Sequence, residues 1–184
     1  MSPTLTEIFD RLGSDKGTSG DGHQYAVDYE RLIPRSTEML LEIGIGTHRN
    51  FNGSCGSIRG WLEWLEGGTV WGFDIEDAPS DLFDSGRFVF FKGDQGSEVD
   101  VVRFLSLAPE FDVIIDDGSH VAEHQMLCLD RLWCCLKPGG VYVIEDVHLA
   151  YGSRPLDVEF LRHTPFFESF IGRDQRGMVF RNKA

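Results

Sequence analysis

From about residue 39 onward, short apolar runs that end beside glycine or acidic residues alternate with segments of helical periodicity. Each run is continuously apolar, which is typical of parallel strands that are covered on both faces. The alternation therefore predicts an α/β fold with a mostly parallel sheet and crossover helices. The predicted strands of this sheet are Met39–Ile45, Thr69–Ile75, Phe88–Lys92, Phe111–Asp116 and Gly140–Glu145.

Helical periodicity fills the gaps between these strands, at Ser57–Leu65, Glu98–Ala108 and Val121–Leu136. Beyond residue 147 we predict a short helix around Leu156–His163, followed by two short strands that a turn-like GRDQR segment separates. The two strands, Phe166–Ile171 and Gly177–Arg181, would close the sheet as an antiparallel hairpin. We therefore expect a Rossmann-like, doubly wound sheet that is mostly parallel, with one antiparallel strand near the C-terminus.

The length of 184 residues suits one domain with a real core and is too short for two. A hydrophobic content of 41% is far from that of disordered chains. Within this single domain, residues 1–36 break the strand and helix rhythm and are predicted to form an N-terminal lid or helical segment. Residues 37–184 are predicted to form the Rossmann-like domain. The glycine- and serine-rich stretch Gly13–Gly22 predicts a loop in the first segment.

The chain is strongly acidic, with 30 Asp and Glu against 17 Lys and Arg and a formal net charge of −13. This charge disfavours nucleic acid and anionic membranes as partners. The sequence shows neither a signal-peptide pattern nor a membrane-length apolar run, so we expect a cytoplasmic protein. Four cysteines lack C-x-x-C spacing, which predicts neither disulfides nor a zinc site. A homo-oligomer, in which the N-terminal segment packs against a partner subunit, is an open alternative.

A glycine-containing turn follows the first predicted strand, in the stretch LEIGIGTHRNF. Gly44 and Gly46 would let the backbone approach a ligand at the carboxyl end of the strand. Arg49 stands where the dinucleotide fingerprint requires its third glycine, which disfavours a nicotinamide cofactor. The turn thus predicts a nucleoside-type ligand without a pyrophosphate cradle.

Acidic and amide groups also stand at the ends of the next strands. Asp74 ends the second strand, where a carboxylate can bind ribose hydroxyls, and Asp94 and Gln95 follow the third, near where an adenine would lie. Glu42 adds a negative group inside the first strand. A pocket with several carboxylates suits a cationic ligand that carries adenosine, and S-adenosylmethionine has both features.

Two acidic pairs, Asp116-Asp117 and Glu145-Asp146, end the fourth and fifth predicted strands. Adjacent strands lie about 4.8 Å apart, so these carboxylates would repel and raise one another's pKa unless a cation intervenes. Oxygen ligands favour Mg²⁺ first, with Mn²⁺ or Ca²⁺ as alternatives. Because successive side chains on a strand face opposite ways, we expect Asp116 and Asp117 to have different roles. A rival interpretation is that Asp117 or Ser119 only caps the following helix.

His120 lies three residues after Asp117, at the start of the predicted helix and beside the acidic pairs. An imidazole has the right ordinary pKa to accept a proton near neutrality, so His120 is the candidate general base. His124 and His148 are weaker candidates for contacts to substrate. In the N-terminal segment, His23, Tyr25 and Tyr29 either pack on the sheet or close over a ligand.

The segments LEIGIG, GFDI, GDQ, IDDGSH and YVIED, in this order, resemble metal-dependent sugar O-methyltransferases of the macrocin and mycinamicin type. The SDKG and HQYAVDYE stretches resemble the segment that precedes the catalytic domain in that family, and the likeness covers roughly residues 13–150. It implies that Asp117, Glu145 and Asp146 bind Mg²⁺ and that His120 is the general base. It also implies that Asp74 and the Gly-Asp-Gln turn hold adenosine beneath an N-terminal lid.

The prediction is therefore an S-adenosylmethionine- and Mg²⁺-dependent O-methyltransferase that acts on a sugar hydroxyl of a glycoside or glycosylated natural product. A mannoside or polysaccharide precursor would suit the same chemistry. A catechol-type methyltransferase, a nicotinamide-dependent oxidoreductase and a non-catalytic binding domain are the alternatives. The predicted cofactor contacts are Glu42, Gly44, Gly46, Asp74, Asp94, Gln95 and Asp116, and those to substrate or within the lid are His23, Tyr25, Tyr29 and His148.

Overall fold

The computed structural model describes residues 2–19, 22–46, 55–147 and 155–183. Over these residues it forms a three-layered α/β fold around one sheet of seven strands. The strands are β1 (Met39–Ile43), β2 (Thr69–Asp74), β3 (Phe88–Lys92), β4 (Phe111–Asp116), β5 (Leu136–Ile144), β6 (Phe167–Ile171) and β7 (Gly177–Arg181). The α-helices are α1 (Leu5–Leu12), α2 (Ala26–Leu32), α3 (Gly56–Trp64), α4 (Glu98–Leu105), α5 (Ala122–Leu132) and α6 (Val158–Arg162).

The strand order is β3-β2-β1-β4-β5-β7-β6. The first five strands are parallel to one another, and β7 runs antiparallel to both of its neighbours. This arrangement confirms the predicted doubly wound sheet with a single antiparallel strand near its C-terminal edge. The direction of winding reverses between β1 and β4, which is where ligands bind in open α/β sheets.

Apolar side chains cover both faces of the sheet, as the continuously apolar strands predicted. On one face, Leu40 and Ile115 pack with side chains from α1, α2 and α3. On the other face, Leu41 and Ile114 pack with side chains from α4 and α5, including Phe104. Alternate residues of one strand therefore serve opposite cores, because successive strand side chains point to opposite faces.

The fifth strand begins earlier than the sequence pattern indicated. We predicted Gly140–Glu145, whereas β5 begins at Leu136, and α5 ends at Leu132 before a short 3₁₀ helix. Residues 137–139 thus lie within the strand and do not precede it. An irregularity in the pairing with β4 between Phe111 and Val113 accommodates this stretch, which includes Gly139 at a φ of +81°.

The N-terminal helices belong to the same core as the sheet. Thr4 caps α1 by accepting a hydrogen bond from the Glu7 amide, while the Glu7 carboxylate accepts one from the Thr4 amide. The ring of Phe9 on α1 packs edge-on against Trp61 of α3, with 4.9 Å between ring centroids.

In the part of the chain that the structure describes, no helix has the length and apolarity needed to cross a bilayer.

Candidate active site

A cavity of about 780 Å³ opens at the carboxyl ends of β1 to β4, across the point where the strand order reverses. Its volume is in the range of sites for drug-sized ligands and cofactors. The wall combines turns after each of the four strands with the loop after α1, which contributes Gly13, Ser14 and Asp15. The predicted residues on this wall are Gly44, Gly46, Asp74, Asp94, Gln95, Asp117, His120 and His124.

Gly44 lets the turns after β1 and β4 pack directly on each other. Its φ is +79°, and a Cβ at this position would lie 2.3 Å from the carbonyl oxygen of Asp117. The Asp117 amide donates to the Ile43 carbonyl at 2.9 Å, which ties the two turns together. Only glycine satisfies both the left-handed conformation and the close backbone approach.

Asp74 shapes the floor of the cavity from the end of β2. Its Oδ2 accepts a hydrogen bond from the Ile45 amide at 2.8 Å, and its Oδ1 accepts one from the Glu76 amide at 2.9 Å. Glu76 also lines the cavity, although the sequence analysis did not single it out. One carboxylate therefore holds two strand-end turns in place at the predicted ribose position.

Asp116 and Gln95 form a buried link between the turns after β3 and β4. The Gln95 Nε2 donates to Asp116 Oδ1 at 3.1 Å, and its Oε1 accepts from the Ser119 amide at 2.6 Å. Burial raises the pKa of Asp116 to about 6. Asp116 lies behind the cavity wall, whereas Asp94 lines it and accepts a hydrogen bond from the Gly96 amide at 2.8 Å.

The two predicted acidic pairs meet in space. The Glu145 amide donates to the Asp116 carbonyl at 2.9 Å, which places the end of β5 directly beside that of β4. Asp117, His120 and Asp146 each present one ligand atom, and these atoms lie within 4.8 Å of one another. The His120 Nε2 is 4.0 Å from Asp117 Oδ1 and 3.8 Å from Asp146 Oδ2. Two carboxylates and an imidazole at this spacing fit a small divalent cation.

Glu145 lies deeper, and its surroundings include a residue that the sequence analysis missed. Lys16, from the SDKG loop, is fully buried, and its Nζ lies 2.9 Å from both carboxylate oxygens of Glu145. The same Nζ donates to Asp117 Oδ2 and lies 3.5 Å from Glu42 Oε1. A lysine alone among glycine, serine and aspartate was the available signal, but nothing local linked it to strand ends over a hundred residues away.

Burial governs the ionisation of this cluster. It lowers the pKa of Lys16, but attraction to Asp117, Glu145 and Glu42 outweighs it and holds that pKa well above its usual value. Burial, reinforced by the charge of Asp117, raises the pKa of Glu145 well above normal. The cluster thus has more negative groups than one ammonium balances, and a divalent cation would favour their ionised forms.

Aromatic residues of the N-terminal segment secure the second acidic pair. The fully buried Tyr25 donates its hydroxyl to Asp146 Oδ1 at 3.0 Å, and the fully buried Tyr29 donates to Glu145 Oε1. His23 Nδ1 lies 3.3 Å from Asp146 Oδ1. In the structure these three side chains contact the second acidic pair, and they are not among the described residues that line the cavity. His148, a predicted substrate contact, lies outside the described residues.

His124 lies in the first turn of α5 and lines the cavity. Its Nδ1 lies 2.9 Å from the Ser119 hydroxyl oxygen, and a Cβ at Gly96 would come within 2.5 Å of its ring. Ser119 also accepts a hydrogen bond from the Val121 amide at 3.3 Å. These contacts join His124 to the turn that carries His120, on the predicted adenine side of the cavity.

The pKa of Glu42 can be tested through the pH dependence of the protein's stability. It is fully buried and accepts a hydrogen bond from the Trp61 indole at 2.8 Å, and burial raises its pKa from 4.5 to about 7. The folded state therefore binds an extra proton between these values, so this group makes stability fall as pH rises. We expect Glu42→Gln to gain stability relative to wild type from pH 5 to 8, by up to about 3 kcal/mol.

Urea unfolding of both proteins in metal-free buffer at several pH values measures this difference. Glutamine retains an oxygen that can accept from the Trp61 indole, so the comparison isolates the ionisable group. Parallel pH curves for the two proteins would show that Glu42 has an ordinary pKa.

Several curated sugar O-methyltransferases match most of the chain. It is 34% identical over 152 residues to the demethylmacrocin O-methyltransferase of Streptomyces fradiae, a match that covers 81% of the chain and 38% of that protein. It is 33% identical over 152 residues to the mycinamicin VI 2''-O-methyltransferase of Micromonospora griseorubida, covering 81% of the chain and 37% of that protein. The chain thus spans less than two fifths of the length of these relatives. No protein-family model matches it.

Solved structures of MycE, a methyltransferase from the mycinamycin biosynthetic pathway, match the fold. The complex of MycE with Mg, SAH and mycinamycin VI superposes with a TM-score of 0.82 at 25% identity, covering 98% of this chain and 54% of that chain. A second complex, with Mg and SAH, also gives a TM-score of 0.82 at 25% identity. The likeness extends over nearly all of the chain, including the N-terminal helices.

Proposed function

Because the chain belongs to the family of macrocin- and mycinamicin-type sugar O-methyltransferases, we propose that it methylates a sugar hydroxyl of a glycosylated natural product. The methyl donor would be S-adenosylmethionine, and the reaction would require Mg²⁺. One observation carries the proposal: Asp117 and His120 belong both to the wall of the cavity and to the group of candidate metal ligands. A donor in the cavity and an acceptor beside the metal would therefore meet at these two residues.

The cavity supports the choice of donor. Asp74, Asp94 and Glu76 on its wall offer acceptors for ribose hydroxyls and an electrostatic environment that favours a cationic ligand. Gly46 leaves room at the turn after β1, since no described atom lies within 4 Å of a Cβ there, and Gly44 lets that turn pack on the turn after β4. Gln95, held by Asp116, orients the turns on either side of the predicted adenine position.

The acidic cluster supports a metal requirement. Asp117, Glu145 and Asp146 would hold the cation, and the first and last of these already lie within 4.8 Å of each other and of His120. When bound, Mg²⁺ would supply Lewis acidity that lowers the pKa of the acceptor hydroxyl, and S-adenosylmethionine would supply an electrophilic methyl group. Mn²⁺ or Ca²⁺ would suit the same oxygen ligands.

The residues of the chain would then position the acceptor and take its proton. The His120 Nε2 faces the carboxylates of Asp117 and Asp146, at the mouth between the cavity and the cluster. An imidazole there would accept the proton of a sugar hydroxyl as the oxygen attacks. Fixing donor and acceptor in line supplies much of the remaining acceleration.

A screen of methyl acceptors tests the proposal. With methyl-labelled S-adenosylmethionine and Mg²⁺, we expect label to pass to desmethyl glycosides of natural products and not to catechols or free mannosides. Excess chelator should abolish the transfer, and added Mg²⁺ should restore it. Transfer that persists in excess chelator would contradict the metal requirement, and transfer to catechols alone would contradict the acceptor class.

The proposed place of action is the cytoplasm, and the proposed partner is a small glycosylated acceptor. The net charge of −13 disfavours polyanionic partners and supports a neutral or cationic one. Fractionation of the native host with an antibody against the chain would test the location directly.

A further inference from the structure

His120 has a backbone conformation that residues other than glycine seldom adopt. Its φ of +53° lies in the left-handed region, where a residue with a Cβ stays only when its surroundings hold it there. This backbone brings the ring Nε2 to 4.0 Å from Asp117 Oδ1 and 3.8 Å from Asp146 Oδ2. The contacts that fix the backbone at His120 therefore also fix the position of the candidate base.

Hydrogen bonds from two neighbouring strand ends hold residues 117–120, which we call the His120 turn. The Asp117 amide donates to the Ile43 carbonyl at the end of β1, at 2.9 Å. The Ser119 amide donates to Gln95 Oε1, from the turn after β3, at 2.6 Å. Ser119 directly precedes the histidine, so the bond to Gln95 acts on the backbone next to the imidazole.

The side-chain amide of Gln95 has a matching partner at each end. While Oε1 accepts from the Ser119 amide, Nε2 donates to Asp116 Oδ1 at 3.1 Å. An amide has an accepting end and a donating end, whereas an apolar side chain of the same length satisfies neither partner. Gln95 is also buried, and its carbonyl accepts a hydrogen bond from the Cys128 thiol at 3.7 Å. The bridge from β3 to the His120 turn is thus enclosed by protein.

Gly118 lets the amide of Gln95 lie directly against the His120 turn. A Cβ at Gly118 would lie 1.7 Å from Gln95 Oε1, and its three nearest atoms would all belong to that side chain. The φ of Gly118 is not positive, so the backbone conformation does not require glycine here. The requirement comes from Gln95, and the turn is therefore built around this side chain.

Gln95 also belongs to the side of the cavity where the donor is proposed to bind. It follows Asp94 in the turn after β3, and both residues line the cavity. The Asp94 amide donates to Asp100 Oδ2 in α4 at 3.1 Å, which anchors this turn. The sequence analysis predicted an adenine contact for Gln95. Because both ends of its amide already bind protein groups, the structure favours a different role.

We propose that Gln95 is a positioning residue for His120, whose side-chain amide fixes the His120 turn to the strand end that carries Asp94. The inference rests on the proposed function, since it assumes that His120 accepts the proton of the methyl acceptor. Gln95 then contributes to the rate of methyl transfer and not to the affinity for the donor. An adenine contact would have the opposite signature, a higher KM for S-adenosylmethionine with kcat little changed.

Gln95→Met tests the proposal, because methionine keeps the length of the side chain and removes both hydrogen bonds. We expect kcat to fall by about 10²-fold, the effect of a small misplacement of a catalytic group. The KM and the calorimetric Kd for S-adenosylmethionine should stay within about twofold of wild type. Without donor, hydrogen exchange of the Ser119 amide, measured by NMR, should be about tenfold faster. Gln175→Met, at an exposed glutamine, is the matched control and should change none of these values.

A double-mutant cycle with His120→Ala separates a positioning residue from a structural one. If Gln95 acts through His120, Gln95→Met should lower the turnover of His120→Ala by less than about twofold further. A general structural loss or an adenine contact would lower turnover by the same factor in both backgrounds. Equal factors would overturn the inference, as would unchanged exchange of the Ser119 amide or a change confined to KM.

Gly118→Ala provides the test if Gln95→Met does not fold. Its added Cβ displaces the Gln95 amide from the other side, so turnover should fall and Ser119 exchange should accelerate as in Gln95→Met. If wild type transfers no methyl group, or if His120→Ala is as fast as wild type, the proposed function or its base is overturned. If turnover depends on His120 but not on the Gln95 bridge, only the inference about Gln95 is overturned.

Discussion

Replacing His120 with alanine is expected to lower the turnover number of methyl transfer by about 10²–10⁴-fold, the range for loss of a general base. His120 lies on a turn at a φ of +53°, which directs its ring toward Asp117 and Asp146. Alanine removes the proposed proton acceptor and leaves Asp74, Asp94 and the rest of the cavity wall in place. Binding of S-adenosylmethionine, measured by calorimetric titration, should therefore stay within about twofold of wild type.

The control for this variant is His163→Ala, an exposed histidine at the end of α6, which should leave turnover unchanged. The geometry allows His120 to be either the general base or a metal ligand, and the affinity for Mn²⁺ distinguishes these two roles. If His120 is the base, its loss leaves metal affinity nearly unchanged. If excess Mg²⁺ restores the turnover of the variant, His120 is a metal ligand and its assignment as the base is wrong.

Gly44→Ala is expected to destabilise the fold strongly, because the added methyl group meets both backbone strain and a steric clash. The left-handed conformation at a φ of +79° costs an alanine about 1–2 kcal/mol. The added Cβ would also lie 2.3 Å from the Asp117 carbonyl oxygen, so the turn that carries Asp117 must move. We expect the free energy of unfolding to fall by about 3 kcal/mol or more, as measured by urea unfolding.

Gly46→Ala separates strain from the steric clash. Gly46 has a similar φ of +73°, but no described atom lies within 4 Å of a Cβ there. This variant should lose only about 1–2 kcal/mol and keep its affinity for Mn²⁺. Gly44→Ala should lose affinity for Mn²⁺ as well, because Asp117 is displaced. Equal losses of stability in the two variants would mean that the turns after β1 and β4 are not packed as described.

The architecture was accessible from the sequence because burial on both faces of a strand leaves a local record. Continuously apolar runs such as VII within β4 mark a covered strand wherever they occur. The boundaries were less accessible, since β5 includes residues 137–139, which were predicted to precede it. A pairing irregularity with β4 accommodates that stretch, and pairing between strands leaves no local signal.

The candidate site was partly predictable for the same reason. Parallel strands end at one edge of a sheet, so Asp117 and Asp146 could be expected to meet once β4 and β5 were recognised as neighbours. The structure brings their oxygens together with His120. The depth of each carboxyl group was not predictable: Asp116 and Glu42 are completely buried, although both were predicted to contact a cofactor.

The sequence by itself determined the doubly wound sheet, the acidic strand ends and the position of a histidine beside them, because each depends on residues adjacent in the chain. Only the tertiary structure decided how deeply each carboxylate is buried and which side chains it contacts. Lys16 reaches Asp117 and Glu145 across separations of 101 and 129 residues, and Tyr25 reaches Asp146 across 121. Such contacts depend on how the N-terminal segment packs against the sheet, and the energy of a buried charge depends on all of its neighbours at once.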